Sequence, residues 1–427
     1  MIWLAISFAV LLVMGVPVAF AIGLSSCAFF LAEGLPMQIV TQKMVTGAQS
    51  FTTLAIPFFV LAGNLMNETG ITKRLIKFSN VLTGHMLGGL AQVSVVLSAL
   101  MGGISGSATS DAAMECKILG PDMLKKGYSR GFITGILSMG GMITATIPPS
   151  IPLVMYGVTG EVSMGRLFIG GFIPGLLMMV FFMIITHFIS KKRGYVPEHE
   201  NPPTFKDVLK QTKESFWAIL FPVILIVGIR FGLFTASEAG AFATMYAIFV
   251  GFFIYKELTV KKVVQVLKDT AVDISMIMLI ILAANAFGYA LVYGRAAQTL
   301  SGFITGIGLS KWLFVILVMI LTLVCGMFME CIANILILTP ILLPIAKSLG
   351  IDPVVFGLCF ITVNSLGSMT PPVGVTMFTA CSLMKCDMAT YTKEAWPYMV
   401  AVFLVAAICL IFPQTVTFLG DLVYGIV

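Results

Sequence analysis

Two polar, glycine-rich segments interrupt the long apolar sequence and carry groups that can bind a cation. The first is GGISGSATSDAA at residues 102–113, and the second is GMFMECIANILILTP at residues 326–340. Serine hydroxyls and the carbonyl oxygens of unwound backbone can replace the water shell of a hard cation such as sodium. Small residues that permit tight helix packing are the alternative explanation.

The acidic and amide side chains of these segments have a spacing that suits a shared site. Glu330 and Asn334 are four residues apart and therefore lie on one face of a helix, while Asp111 belongs to the first segment. An acid in apolar sequence is costly unless it faces a cavity or a partner. We expect these side chains to coordinate a cation or to close a hairpin. A protonated structural acid is the alternative.

Two proline pairs lie within apolar segments, in TATIPPS at residues 144–150 and in SMTPPVG at residues 368–374. Each proline removes an amide donor and frees a carbonyl, so the pairs predict two discontinuous helices, although a simple kink would also accommodate them. Side chains with oxygen ligands lie beside both pairs: Thr144, Thr146, Ser150, Asn364, Ser365, Ser368 and Thr370.

The composition requires lipid as the main solvent. Hydrophobic residues make up 59% of the 427 residues, charged residues make up 10%, and the mean hydropathy is +1.04. On the order of ten to twelve spanning or half-spanning segments are expected, and the run from Ile2 to Leu31 is interpreted as a retained transmembrane helix. The basic residues behind the net charge of +6 lie in short loops, which argues against nucleic-acid binding. Eight cysteines without a CxxC pair, and three histidines, support neither a zinc site nor a disulfide framework.

An internal repeat relates the two polar segments. At a shift of 223 residues, the separation of Pro121 from Pro344, four proline pairs coincide, against about 0.4 expected by chance. The same shift aligns Asp111 with Asn334 and Ser107 with Glu330.

The charges of the equivalent loops predict that the two copies have opposite orientations. DMLKKGYSR at residues 122–130 has three basic residues and one acid, whereas IAKSLGIDP at residues 345–353 has one of each. The positive-inside tendency places the first loop in the cytoplasm and the second outside. We therefore expect an all-α polytopic membrane protein with an inverted-topology repeat, two re-entrant helical hairpins and two broken helices.

The chain divides into four predicted regions. They are N-terminal scaffold helices at residues 1–50, a first repeat at 51–190, cytoplasmic connectors with scaffold helices at 191–271, and a second repeat at 272–427. Each repeat contains one hairpin and one broken helix. The polar stretches at 191–214 and 256–269 are interpreted as connectors, the second of them amphipathic.

Other chemistries find less support in the sequence. No GxxxxGK[ST] motif is present, so ATP is not expected to be consumed. Residues 103–106, GISG, match the GxSG pattern of intramembrane serine proteases, with His85 and His187 as candidate partners, but so short a pattern is weakly specific among 41 glycines. A channel is a further alternative, although two broken helices suit alternating access better.

The chain resembles the large membrane subunit of tripartite ATP-independent periplasmic (TRAP) transporters, and the likeness extends over nearly its full length. The segments that carry it include VPVAFAIG at 16–23, AIPFFVLAGNLMNETGI at 55–71, GGISGSATSDAA at 102–113, TIPPSIPLVMYG at 146–157, LFIGGFIPG at 167–175, FWAILFPV at 216–223, GLFTASEAGAFATMYA at 232–247 and MTPPVGVTMF at 369–378. Two departures are Ala236, where the family usually has proline, and Glu330, where aspartate is more familiar.

The resemblance implies a sodium-coupled permease of the bacterial inner membrane that is not an enzyme. It implies an elevator mechanism of the kind found in the ion transporter superfamily, a small four-helix membrane subunit, and a periplasmic protein that delivers the substrate. It further implies at least two sodium ions and an organic acid such as sialic acid or a C4-dicarboxylate. A stand-alone sodium/carboxylate symporter of the same fold is the alternative.

The resemblance also implies the site residues. The sodium ligands would come from Ser105, Gly106, Ser107, Thr144 and Thr146 in the first site and from Glu330, Asn334, Gly367, Met369 and Thr370 in the second. The substrate is expected to contact Ser107, Ser110, Asp111, Pro148, Pro149, Asn334, Pro371 and Pro372.

Overall fold

A computed structural model of the chain describes residues 2–49, 51–231, 233–295, 299, 302 and 310–425. The regular structure within these ranges is helical, and they contain no strand. The α-helices, numbered in chain order, are α1 Ile2–Val13, α2 Val18–Ala32, α3 Gln38–Gln49, α4 Ala55–Glu68, α5 Ile71–Thr83, α6 Gly89–Gly102, α7 Ala108–Ile118, α8 Gly120–Lys125, α9 Arg130–Thr146, α10 Ile151–Gly160, α11 Met164–Arg193, α12 Phe205–Glu214, α13 Phe216–Arg230, α14 Ala236–Phe249, α15 Val260–Tyr293, α16 Lys311–Phe328, α17 Cys331–Ser348, α18 Pro353–Gly367, α19 Val375–Met384, α20 Met388–Ile411 and α21 Gln414–Tyr424.

The helices have the length and composition of a multi-pass membrane protein. Among the described residues, seven helical segments are long and apolar enough to cross a bilayer, or eight if the bent pair α12–α13 counts as one span. Four shorter apolar helices accompany them: α2, α6, α18 and α19. The predicted all-α polytopic fold is therefore confirmed.

Four interrupted elements form the centre of the protein. The first hairpin is α6–α7 and the first broken helix is α9–α10, while the second hairpin is α16–α17 and the second broken helix is α18–α19. The proline pairs lie in the breaks at residues 147–150 and 368–374, where the chain cannot continue an α-helix. Helices α7 and α17 begin 223 residues apart, as do α9 and α18, which is the shift found in the sequence.

The interrupted elements pack on one another across the two copies. Helix α7 of the first hairpin packs on α19 of the second broken helix, and α17 of the second hairpin packs on α10 of the first. The first broken helix is buried throughout residues 131–150, whereas half of the residues of α16 are exposed at the surface. The first broken helix is therefore the central element of the core.

Helix α15 is a long scaffold element that packs on α2, α3 and α4. Its 34 residues extend about 50 Å, more than the hydrocarbon thickness of a bilayer, so its polar first turns project beyond the apolar layer. The amphipathic connector predicted at residues 256–269 forms the start of this helix from Val260 onward. The predicted boundary between residues 271 and 272 falls inside the same helix, and helix α11 continues past the boundary at 190 to Arg193.

The earlier polar stretch also contains an amphipathic helix. Helix α12 begins at a capping box between Thr204 and Asp207, and exposes Phe205 and Leu209 on one side. A short helix with an apolar face flanked by lysines suits a position at the membrane surface.

Candidate substrate and ion sites at the hairpin tips

The first hairpin tip closes directly on the break of the first broken helix. The carbonyl of Gly106 accepts a hydrogen bond from the amide of Ile151 at 3.1 Å. Gly106 has a φ of +58°, and a Cβ at this position would lie 2.8 Å from the carbonyl oxygen of Pro149. Ser105 is buried, and the Oγ of Ser107 caps α7 by accepting from the amide of Ser110 at 3.4 Å. The predicted ligands Ser105, Gly106 and Ser107 therefore lie beside the break.

The threonines before this break have different partners. The Oγ1 of Thr144 lies 2.9 Å from the carbonyl oxygen of Ser98 and 2.5 Å from Oδ2 of Asp111. Thr146 donates its hydroxyl hydrogen to the carbonyl of Met142, 2.9 Å away in its own helix. Thr144 thus connects the broken helix to the first hairpin, whereas the hydroxyl of Thr146 is bound within α9.

The second hairpin tip meets the second break through backbone groups. The amide of Gly374 donates to the carbonyl of Met327 at 2.9 Å. A Cβ at Gly367 would lie 2.6 Å from Cα of Gly326, so the two chains approach too closely for a side chain. Glu330 caps α17 by accepting from the amide of Ile332 at 2.7 Å.

Asn334 and the break residues are held by internal hydrogen bonds. The Nδ2 of Asn334 donates to Oδ1 of Asn364 at 2.8 Å, and both residues are buried. The hydroxyl of Thr370 donates to the carbonyl of Gly367 at 2.9 Å. The carbonyl of Met369 accepts from the hydroxyl of Tyr391 at 3.0 Å, and that hydroxyl is also 3.2 Å from Oγ of Ser138 in α9. Tyr391 therefore joins the two broken helices.

A small cavity, which we name the tip cavity, lies where all four elements meet. Its volume is about 40 Å³, and its lining includes Ser107, Thr109, Ile151, Pro152, Glu330, Ile332, Ser365, Ser368 and Val375. Many of these residues lie at the amino-terminal ends of α7, α10, α17 and α19, which begin at residues 108, 151, 331 and 375. Four helix amino termini at one point favour an anionic group.

The predicted substrate contacts have different positions relative to this cavity. Ser107 lines it. Ser110 is exposed, Asp111 and Asn334 are buried within their hairpins, Pro148 and Pro149 are buried in the first break, and Pro371 and Pro372 reach the protein surface at the second break. The sequence reasoning did not identify Thr109, whose hydroxyl lies 2.7 Å from that of Thr376 in α19. In the sequence, the sign that Thr109 could belong to the site is its position directly after the serine-rich turn at residues 105–107.

A larger cavity, which we name the vestibule, lies next to the tip cavity on the same helices. Its volume is about 970 Å³, and it separates α3, α4 and α15 from α10 and α17. Leu336 lies on α17 one turn beyond Ile332 of the tip cavity, and Met155 lies on α10 one turn beyond Pro152.

The vestibule wall carries both apolar and polar groups. Lys43 places Nζ 4.5 Å from the ring centroid of Tyr289, and Asn285, Thr159 and Glu161 are also part of the wall. The volume suits a small organic molecule. Nothing in the sequence near Lys43 signals this position, because its neighbours in the wall come from other helices.

The fold and the convergent hairpins define a multi-pass membrane transport protein. Two solved transporters have the same overall fold: YdaH of Alcanivorax borkumensis, with a TM-score of 0.61, 13% identity and coverage of 91% of this chain and 89% of that one, and MtrF of Neisseria gonorrhoeae, with a TM-score of 0.53, 12% identity and coverage of 86% and 83%. The chain belongs to the family of DctM components of tripartite ATP-independent periplasmic transporters, whose sequence profile matches residues 5–415.

Relatives of this family match nearly the whole chain. The sialic acid TRAP transporter large permease SiaM of Vibrio cholerae is 36% identical, over 99% of this chain and 98% of its own length. The 2,3-diketo-L-gulonate permease YiaN of Escherichia coli is 34% identical over 94% of each chain, and the C4-dicarboxylate permease DctM of Rhodobacter capsulatus is 35% identical over 91% of each.

The predicted family is thereby confirmed, and the chain is a large permease subunit of a TRAP transporter. These relatives are named as transporter permeases and not as enzymes, which argues against the intramembrane protease. Ser105, the serine of the GxSG pattern, has its hydroxyl 3.4 Å from the carbonyl of Met101 in its own hairpin.

Proposed function

We propose that this chain is the permease subunit of a sodium-coupled, binding-protein-dependent transporter that imports a carboxylate solute across the bacterial inner membrane. The observation that carries the proposal is the convergence of two hairpin tips and two helix breaks on one cavity. Paired discontinuous helices around a shared site are the arrangement through which secondary transporters bind substrate and coupling ions.

A carboxylate fits the groups around the tip cavity. The amino-terminal ends of four helices face it, and their dipoles stabilise negative charge. At α17 the carboxyl group of Glu330 already accepts from the first amides, so the other three helix ends are the ones that would bind the substrate. The hydroxyls of Ser107, Thr109 and Ser368 add hydrogen-bonding groups for an organic acid. Sialic acid and C4-dicarboxylates are the substrate classes we propose, because relatives with near-complete coverage carry those names.

The proposal of sodium coupling is supported by the oxygens at the two tips and their breaks. Each tip presents backbone carbonyls and side-chain oxygens against its own break, around Gly106 at the first and around Gly367 and Thr370 at the second. Such oxygens suit sodium, and binding at least two ions would fix both tips against their breaks. ATP has no role in this scheme.

The size of the tip cavity implies that the hairpins move. About 40 Å³ holds little more than one water molecule, so the tips must separate before an organic acid enters. The vestibule supplies an approach, with Lys43 as a cationic group on its wall. We infer that the hairpins and broken helices form a domain that moves as an elevator against the scaffold of α2, α3, α4 and α15.

The basic helix ends suggest the orientation and the partners. Lys125, Lys126 and the end of α11 at Lys191–Arg193 lie at one face, which we assign to the cytoplasm. The vestibule lies toward the opposite, periplasmic face, where a periplasmic binding protein would release substrate. A small four-helix subunit would complete the scaffold in the bilayer.

The deciding experiment measures uptake into proteoliposomes that contain this chain and its small partner subunit. Radiolabelled sialic acid and succinate are supplied separately, with and without the binding protein and with and without an inward sodium gradient. Uptake that requires both the binding protein and sodium is the expected result.

Other outcomes would change the proposal in defined ways. Uptake with sodium alone would favour a stand-alone sodium/carboxylate symporter. Uptake that is indifferent to sodium would contradict the coupling, and failure to transport either acid in the complete system would contradict the substrate class.

A further inference from the structure

A pair of acids lies inside the first hairpin, away from the tip cavity. Asp111 and Glu115 are four residues apart on α7, so both project from one face of this helix. Their exposed fractions are 1% and 0%. Glu115 plays no part in the sites described above.

Each carboxyl group has one satisfied and one unsatisfied oxygen. Oδ2 of Asp111 lies 2.5 Å from the hydroxyl of Thr144, and Oε1 of Glu115 accepts from the hydroxyl of Ser98 at 2.8 Å. Oδ1 of Asp111 and Oε2 of Glu115 are buried without a hydrogen-bond partner. Neither acid has an ion-pair partner among the described residues. A buried acid pair in this state is neutralised either by binding protons or by binding a cation.

The helices next to Asp111 and Glu115 contribute two hydroxyl oxygens and a glycine. Gly140 of α9 faces the pair: a Cβ there would clash with Oγ of Ser98 and lie 3.8 Å from Oε2 of Glu115. Asp111, Glu115, Ser98 and Thr144 therefore form one connected group of oxygen-bearing residues where α6, α7 and α9 meet. This set suits a hard monovalent cation.

The second copy of the repeat shows that the packing does not require these charges. At the shift of 223 residues, Asn334 corresponds to Asp111 and Leu338 corresponds to Glu115. Asn334 is neutral and bonded to Asn364 at 2.8 Å, and Leu338 packs against the hydrophobic core. Equivalent helices thus pack with neutral side chains in one copy and with two acids in the other.

From these observations we propose that Asp111 and Glu115 bind a sodium ion, in addition to the two ions expected at the hairpin tips. The inference rests on the proposed sodium-coupled function. The ligands expected for the first tip site, Ser105 to Ser107 with Thr144 and Thr146, are all uncharged. One sodium ion at the pair and one at the adjacent tip would balance the two buried carboxylates of the first hairpin, whose remaining charged residue, Lys117, is exposed.

The test counts sodium ions in the wild type and in Glu115→Gln, an isosteric change that preserves a partner for Ser98. Equilibrium binding of radioactive sodium to the purified chain should show one ion fewer per chain in the variant. Asp122→Asn is the control, since Asp122 is an exposed acid just after the same hairpin, paired with Lys125; its ion count should equal that of the wild type.

A second measurement is the zero-flux potential of substrate uptake in proteoliposomes. It should show one sodium ion fewer per substrate in Glu115→Gln. An unchanged ion count in a folded Glu115→Gln protein would overturn the inference. So would uptake in the wild type that follows an imposed proton gradient at equal sodium and loses this dependence in the variant, because the pair would then carry a proton. Sodium-independent uptake by the wild type would instead contradict the proposed function itself.

Discussion

The first hairpin tip requires a glycine at position 106. Its positive φ is unfavourable for other residues, and its α-carbon faces the break at Pro149 and Ile151. Both features concern one residue, but they have different physical origins. The first is a cost of backbone conformation, and the second is a steric limit on closure of the tip.

The variant Gly106→Ala should abolish most substrate uptake. The new methyl group would lie 2.8 Å from the carbonyl oxygen of Pro149, so the tip or the break must move from its present position. We expect a loss on the order of tenfold or more in the initial rate of uptake, because small displacements of binding groups have large effects.

Gly127→Ala provides the matched control for this variant. Gly127 also has a positive φ, of +80°, but no atom lies within 4 Å of the added Cβ. Equal losses of uptake in the two variants would contradict the steric explanation and assign the effect to backbone conformation alone.

The sequence could indicate single residues at the tips but not their partners. Residues 105–107 and the prolines of the breaks are visible as a polar, broken pattern, and the structure places the first tip against its break. Lys43 and Glu115 were missed, because their significance arises from Tyr289 and Ser98 on other helices. Contacts of this kind depend on packing, which has no local sequence signal.

At the scale of elements, an ion-pair cluster fixes the start of α5 to the loop before α15. Oε1 of Glu257 accepts from Arg74 at 2.8 Å, and Oε2 lies 3.4 Å from Lys73. The hydrogen bond from Arg74 has the largest effect on the pKa of Glu257 and lowers it. Burial raises this pKa by less, and the hydrogen bond from Lys73 lowers it further. The adjacent Gly70 leaves room for the carboxyl group, since a Cβ there would clash with it.

Glu257→Gln should therefore destabilise the protein at neutral pH by about 1 kcal/mol, the upper range for partly exposed pairs. A lowered folded-state pKa means that this stabilisation is present above the unfolded pKa and is lost as the pH falls through the folded value. Thermal unfolding in detergent should show a lower midpoint for the variant at pH 7, and the difference should diminish below about pH 4.

Glu200→Gln is the control for this measurement, because Glu200 is exposed and forms no ion pair in the described part of the chain. A deficit in Glu257→Gln that persists unchanged at acid pH would show that the charge of Glu257 is not the cause.

At the scale of the whole molecule, each hairpin packs on the broken helices of both copies. Helices α6 and α7 contact α9 of their own copy, and α16 contacts α18, while α7 also contacts α19 and α17 contacts α10 of the other copy. The sequence predicted the four interrupted elements, because glycine and proline mark them locally. It could not predict the contacts between the copies or the vestibule, since both arise between segments more than 100 residues apart.

The proposed inverted orientation of the copies predicts that equivalent loops face opposite sides of the membrane. Cysteines introduced as Lys125→Cys and Ser348→Cys, in a chain with its eight native cysteines replaced, should react with an impermeant thiol reagent from opposite sides. Both positions are exposed. Reaction of both cysteines from the same side would exclude the inverted repeat.

No side chain crosses the contact between Gly326 and Gly367. Where side chains interlock, helices that part must first disengage them, at a cost in packing. Two bare backbones can turn against each other with no change of rotamer, and the hydrogen bond from Gly374 to Met327 is the polar link to be broken there. Further from the tip, the second hairpin stays bound to its broken helix, because Asn334 donates to Asn364 and Asn364 donates to the carbonyl of Cys331. Parting of the two glycines would therefore bend the tip of the second hairpin without detaching the hairpin itself.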